Sequence, residues 1–373
     1  MTIAAPPALG TAGRVHVVVP ADVDDPRRPS GGNVYDLEVS HELARLGWDV
    51  RRHRVAGAGS TGATAAQGLA RVLAGVHDGE VVVVDGLVTT GAEDAFAAER
   101  QRLALVPLLH LPASLVDDRP DALVRERQVL DAAAAVVTTS EWSRRWLAVR
   151  HGFGSGRMAV AAPGVRPAPL ARLSDDGATL TCVAAVLPAK GLDVLADALS
   201  GVSDLGWTCR VVGSLERDPG FAFRVRDVVR QSGIGDRVRF AGTIDRDGVA
   251  AALATTDLLV LPTRLEVYGM VVTEALAHGV PVVASAVGGV PEAVGRASTG
   301  EVPGVLVPPG DPAALAEALR AWLTDPALRR RLRAAAASRR GSLEGWPATA
   351  RALHDVLRQV AVNQPAARAV VSR

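Results

Sequence analysis

Short, unbroken runs of β-branched and aliphatic residues recur along this chain, and stretches of helical period separate them. The runs include VHVVVP from Val15, VVVVDG from Val81, LALVPLLH from Leu103 and AVVTTS from Ala135. A second series includes TLTCVAAV from Thr179, TCRVVGS from Thr208, RVRFAGT from Arg237, LLVLPT from Leu258 and VPVVAS from Val280. A strand that is apolar on both faces has to be covered on both faces. Strands of that kind, spaced by helices, form parallel sheets. At 373 residues the chain is long enough for two such domains. Between the two series lies APGVRPAPLARLSDDGA, residues 162–178, which is rich in Pro, Gly and Asp and breaks any periodicity. The expected architecture is therefore α/β with two doubly wound domains, residues 1–165 and 179–342, joined by a linker at 166–178. Asp311 and Pro312 read as the cap and first turn of a helix. Residues 343–373 are expected to form a further helix, beginning near Trp346, that can cross back to the first domain. The tail after about residue 361 reads as frayed.

Composition lends no support to several function classes. The formal net charge is +1, which gives no electrostatic reason for a nucleic-acid partner. No charge-free apolar run reaches the roughly 18 residues that a membrane span needs. The start, MTIAAPPALGTAGR, lacks the basic and apolar regions of a secretion signal. The chain has 2 cysteines, Cys182 and Cys209, which lie in apolar runs and do not make a disulfide scaffold. These features read as a cytoplasmic protein. Peripheral membrane contact and oligomeric state stay open.

The chemistry concentrates in RLEVYGMVVTEALAHGVPVVAS, residues 264–285. This apolar stretch carries Glu266 and Glu274, and a buried carboxylate is costly unless something pairs with it. LLVLP reads as a strand, TRLEVYG as a loop, and a helix starts near Gly269 and stops at Gly279 before Pro281. The free backbone N–H groups of Tyr268, Gly269, Met270 and Val271 then form a helix N-terminus that favours an anion such as phosphate. A phosphate there would place a sugar nucleotide along the element. Glu266 can accept hydrogen bonds from hydroxyls on one side and Glu274 from those on the other, since a carboxylate suits a vicinal diol. Of the 41 Lys and Arg residues, Lys190 is the only lysine. It follows a strand and opens a helix in AAVLPAKGLDVLADAL, a position that suits a diphosphate.

The run Pro262–Glu292, PTRLEVYGMVVTEALAHGVPVVASAVGGVPE, resembles the two-glutamate signature of the retaining family-4 glycosyltransferases. The resemblance extends from Ser30 to about Val360. It implies the GT-B fold, two Rossmann-like domains facing across a cleft, with the acceptor on the first and the nucleotide sugar on the second. It assigns Glu266 to donor-sugar hydroxyls, Glu274 to the ribose diol, and the backbone of Gly269, Met270 and Val271 to the diphosphate. Lys190 would contact that diphosphate too. The family usually has an arginine five positions earlier, where this chain has Ala185, so the phosphate clamp is one cation short. In the first domain Gly31 and Gly32 match a loop that borders the donor phosphates and the acceptor, with Asn33 as a polar neighbour. His110, at the end of a strand, matches a histidine near the sugar's outer hydroxyl. Gly288 and Gly289 form a loop that helps admit the sugar.

No His/Asp cluster with ligand spacing is visible in the sequence, and DVDD at Asp22–Asp25 reads as solvated, so no metal site is expected. The resemblance likewise implies metal independence and no cofactor beyond the sugar nucleotide as substrate. It implies front-face attack, in which the departing phosphate oxygen takes the acceptor's proton and neither glutamate is a general acid. The resulting expectation is a retaining hexosyltransferase that uses a UDP- or GDP-sugar and a small soluble acceptor. The alternatives are a non-catalytic sugar-nucleotide-binding protein, motivated by Ala185, a glycoside hydrolase using the two glutamates, and a GT-B epimerase.

Overall fold

The computed structural model describes residues 12–59 and 63–363. The start of the chain and the tail beyond residue 363, on which expectations were stated above, lie outside the described residues.

The first sheet is made of β1 (Gly13–Pro20), β2 (Trp48–Val55), β3 (Val81–Asp85), β4 (Ala104–Leu109), β5 (Val136–Thr138) and β6 (Met158–Val160). Its order is β2-β1-β3-β4-β5-β6, and its neighbours are parallel. The second sheet is made of β7 (Thr179–Val183), β8 (Thr208–Val212), β9 (Val238–Gly242), β10 (Leu258–Leu261), β11 (Val282–Ser285) and β12 (Gly304–Val307). Its order is β12-β11-β10-β7-β8-β9, again parallel. Every residue of β3, β4, β10 and β11 is buried. That is why their sequences read as continuous apolar runs. Two doubly wound domains of the GT-B kind are therefore present.

The three strands that the apolar runs did not announce, β2, β6 and β12, all lie at sheet edges. β2, WDVRRHRV, buries only Trp48 and Val55 and turns its charged residues outward. An edge strand has one paired side and less apolar cover, so it carries a weaker signal.

The described chain divides into two compact units, one of residues 12–24, 30–163 and 346–363 and one of residues 25–29 and 164–345. Residues 166–178 are no free linker. Ala171 N donates to His278 O at 2.8 Å and Arg172 N to Ala254 O at 2.8 Å. Ser174 is held through N and Oγ by both oxygens of Asp257, at 2.6 and 2.5 Å. Trp322, fully buried in the helix Pro312–Thr324, donates Nε1–H to Gly177 O at 2.8 Å. The strap thereby satisfies backbone groups of the second unit's own core.

The last helix, Trp346–Asn363, belongs to the first unit and packs on the helix Gly31–Arg45. Leu353 and Leu357 are buried there, and Trp346 stands edge-on to Tyr35 at 5.6 Å. Thr349 Oγ1 donates to Ala162 O at 2.7 Å, and Trp48 Nε1 to His354 Nδ1 at 3.0 Å. Among the described residues, no helix is long and apolar enough to cross a membrane.

Candidate active site

In the second sheet the strand order reverses between β7 and β10, which pair directly through Leu180–Leu258 and Thr181–Leu259. Ligands of open parallel sheets bind beyond the strand ends at such a reversal. The loop after β7 carries a tight turn, Pro188–Lys190, ahead of the helix Leu192–Ser200. The loop after β10 carries Glu266. The two loops are tied together by main chain and side chain. Arg264 N and Thr263 Oγ1 both donate to Ala189 O, at 2.8 and 3.0 Å. The Arg264 guanidinium grips Asp193 with two bonds of 2.7 Å and adds Pro188 O at 2.9 Å. Gly191 joins the turn to the helix with φ +65°, and a Cβ there would stand 2.1 Å from Pro262 O. Only glycine allows so close an approach. This bracing sets Lys190 Nζ 2.7 Å from Glu266 Oε2, with both side chains partly exposed.

The helix Met270–Ala277 follows at once. Its cap is Gly269, at φ +96°, and no side chain caps it. Val272 N turns back to Gly269 O at 2.9 Å, which leaves the Met270 and Val271 amides for a ligand, and the helix dipole adds positive potential there. Burial raises the Tyr268 phenol to about 12. Burial also pushes the Glu274 carboxyl up to about 7, against the pull of Arg246. Among the described residues no hydrogen bond to the Glu274 carboxylate is formed, so its acceptor capacity is uncommitted. Gly288 lets its own loop close down on the Glu266 loop, since a Cβ on it would lie 1.6 Å from Glu266 O.

The first sheet reverses between β1 and β3. The helix Gly31–Arg45 follows β1, with Ser30 Oγ accepting from Asn33 N at 3.1 Å as its cap. Asp85 ends β3, and His110 follows β4. Gly32 and His110 come together here, because a Cβ on Gly32 would sit 3.2 Å from His110 Cδ2, and Gly31 precedes Gly32 at the helix start. Asn33 also spends Nδ2–H on Asp22 O at 3.3 Å. Behind the ring stand two acids. His110 Nε2 is 2.8 Å from Asp36 Oδ1 and 3.5 Å from Asp85 Oδ2. Both carboxyl groups are 2% exposed. Burial pushes Asp36 up to about 7 and Asp85 well above the usual range, and it pulls His110 down.

One expectation about metals needs correction. Donor atoms of Asp36, Asp85 and His110 all lie within 4.8 Å of one another, so a His/Asp cluster with ligand spacing does exist. Three separate elements assemble it, which is why no local spacing in the sequence shows it. Of the DVDD acids, expected to be solvated, Asp24 is exposed and pairs with Arg54 at 2.8 Å, while Asp25 is partly buried and pairs with Arg27 at 3.1 Å.

Comparison with known proteins adds to this geometry. Residues 171–339 match the family described as glycosyl transferases group 1. The D-inositol 3-phosphate glycosyltransferase of Kineococcus radiotolerans is 33% identical over 303 residues, 73% of this chain and 69% of the relative. The chain belongs to the group 1 glycosyl transferases. Solved structures share its fold. Sucrose-phosphate synthase from Thermosynechococcus elongatus superposes with a TM-score of 0.77 at 23% identity, covering 93% of this chain and 99% of that one. Anabaena HepE in complex with UDP and glucose does so with 0.73 at 18% identity, covering 93% and 99%.

In this glycosyltransferase the matched stretch contains Lys190, Glu266, Tyr268, Gly269, Met270, Val271 and Glu274, and leaves Gly31, Gly32 and His110 outside it. Ala185 lies between β7 and the Lys190 turn, where its carbonyl accepts Leu187 N at 2.9 Å and its side chain brings no charge. Asp36 and Asp85 escaped the sequence reading. Asp85 stands at the carboxyl end of β3, where a strand-end search points. Asp36 is hidden within the buried face of an amphipathic helix, between Tyr35 and Val39.

Proposed function

We propose that this glycosyltransferase moves a hexose-type sugar from a UDP- or GDP-sugar to a hydroxyl of a small soluble acceptor, with retention and without a metal. The observation that carries the reading is the Lys190–Glu266 pair, braced at the sheet's reversal beside an uncapped helix start, with Glu274 in the same helix. Lys190 and the Gly269–Val271 amides stabilise the leaving diphosphate, the task a metal performs elsewhere. On diphosphate binding Lys190 turns its charge to the phosphates, and Glu266 is freed for sugar hydroxyls. Glu274 takes the ribose diol, and Tyr268 borders the phosphates. Gly31, Gly32 and His110 serve the sugar and the acceptor from the first unit. In the reaction the anomeric carbon's bond to the phosphate oxygen breaks and its bond to the acceptor oxygen forms on the same face. The acceptor's proton passes to the departing phosphate oxygen. A cytoplasmic setting accords with two free, buried cysteines.

The test is incubation with UDP-glucose, UDP-N-acetylglucosamine, GDP-mannose and ADP-glucose. Each is offered with inositol phosphates, taken from the name of the relative, and with simple sugars. Mass spectrometry reads the products, and proton NMR reads the anomeric configuration. An inverted product, or none with any pair, overturns the retaining-transferase reading. Ala185 favours a second reading, a protein that binds sugar nucleotides without turnover. It predicts tight nucleotide binding and no product in the same assay.

A further inference from the structure

The Asp36–Asp85–His110 cluster is more elaborate than a histidine lining a ligand site requires. The ring is fixed from several sides. Gly32 lies close to its Cδ2 edge, where an added Cβ would stand 3.2 Å away, tighter than an ordinary contact. Tyr35 stands edge-on at 4.9 Å and 70°, itself anchored by its hydroxyl on Ala161 O at 2.8 Å. Nε2 meets Asp36 Oδ1 at 2.8 Å. A carboxylate beside an imidazole nitrogen calls for a proton between them, so Nε2 carries the hydrogen and donates.

The second acid explains itself through an unpaired atom. Asp36 Oδ2 is buried and finds no N–H or O–H donor when both acids are ionised. The Asp85 carboxyl is within hydrogen-bonding reach of Asp36, so a proton on it supplies that donor, and Asp85 Oδ1 meanwhile accepts Leu87 N at 2.5 Å. Two carboxyl groups in one dry site share a proton rather than hold two charges. Drawing on Asp36 from behind also makes it a weaker base, which keeps His110 neutral rather than imidazolium.

We propose that Asp36 and Asp85 form a one-proton carboxyl pair that positions His110, holding it in the Nε2–H tautomer so that Nδ1 remains an acceptor for a sugar hydroxyl. The claim about the hydroxyl rests on the transferase reading; the claim about the tautomer does not. Among the described residues Nδ1 has no hydrogen-bond partner, so it is the nitrogen left for a ligand. The titratable groups packed on the ring are Asp36 and Tyr35 from the helix Gly31–Arg45 and Asp85 from β3. Trp346, from the last helix, reaches the cluster only through Tyr35 and brings no charge. Tyr35 stays protonated, because burial raises it further. A proton added to the neutral Nε2–H ring goes to Nδ1 and would convert it from acceptor to donor, and burial of the ring opposes that step.

The experiment is imidazole 1H–15N correlation NMR on the full chain with labelled histidine, the His110 signals being assigned by their absence in His110→Gln. A neutral Nε2–H tautomer at pH 8 is the expected result. Asp85→Asn offers an N–H to Asp36 and an oxygen to Leu87, so it should keep the tautomer. Asp85→Val, which offers neither, should lose it. An Nδ1–H tautomer, or the mixture of free histidine, overturns the proposal. So does a stoichiometric shift of the ring signals by Zn2+ or Mn2+, which would assign the cluster to a cation. Titration with UDP-glucose, GDP-mannose and inositol phosphate separates the two claims and the source of the hydroxyl. Movement of Nδ1 with a sugar nucleotide or with the inositol phosphate identifies which one supplies it. Nucleotide binding that leaves Nδ1 unmoved by all three overturns the hydroxyl claim. Failure of every sugar nucleotide to bind overturns the transferase reading while the tautomer result stands.

Discussion

Lys190 is a single point charge where the resembling enzymes use two cations, so its removal should be felt in full. Lys190→Ala is expected to weaken binding of UDP or GDP by about 1.5–3 kcal/mol, the range of a charge-assisted hydrogen bond. Unchanged affinity by calorimetry would take Lys190 out of the site. Glu274 makes a pH-dependent prediction. Its folded value, about 7, lies above the ordinary 4.5 because of burial. The empty protein therefore holds the proton more tightly than the unfolded chain does, and this group's contribution to stability falls as pH rises between those values. A diol that donates to the carboxylate favours the ionised form, so nucleoside diphosphate binding near pH 7 should release a proton. Calorimetry in two buffers of different ionisation heat reads that release. In Glu274→Gln it should vanish, and if it persists the diol is not on Glu274.

At the scale of elements, the two loops that carry Lys190 and Glu266 are positioned by contacts that touch no substrate. The Arg264–Asp193 pair is exposed by 37% and 39%, so it is screened and contributes little to stability. Arg264→Ala should change unfolding free energy by no more than ~1 kcal/mol. It should nevertheless weaken nucleotide binding, because Arg264 holds the turn that aims Lys190. Equal affinity in the variant would show that the main-chain ties to Ala189 O suffice. Gly288 is the opposite case. Its φ is +58° and a Cβ would run into Glu266 O, so Gly288→Ala has to move the loop. It should cost more than about 1 kcal/mol and lower the melting temperature together with donor affinity. An unaltered melt would mean that the loop shifts freely.

At the scale of the whole molecule, chain order and unit membership part company. The helix Trp346–Asn363 comes last, yet its buried Leu353 and Leu357 cover the first unit. Stopping the chain after Gly345 should leave that apolar surface open and take Trp346 from Tyr35, the residue that backs His110. Calorimetry should then show the first unit's transition lowered or lost and the second unit's retained, with nucleotide binding still measurable. If both transitions stay in place, the helix is dispensable to the first unit.

The sequence by itself determined the parallel α/β class, the placement of the central strands, the caps, and the two-glutamate loop and helix. These are local signals. A strand covered on both faces reads as an unbroken apolar run, and a helix end is spelled by the few residues around it. Only the tertiary structure decided what depends on packing between distant segments. Edge strands such as β2 carry too little buried surface to announce themselves. Lys190 and Glu266 meet across 76 positions because β7 and β10 are neighbours in the sheet. His110 stands out at a strand end, but Asp36 and Asp85, which surround it, look ordinary along the chain. Burial gives them their chemistry, and the burial of a carboxyl group is set by what folds against it, which no local window of sequence contains.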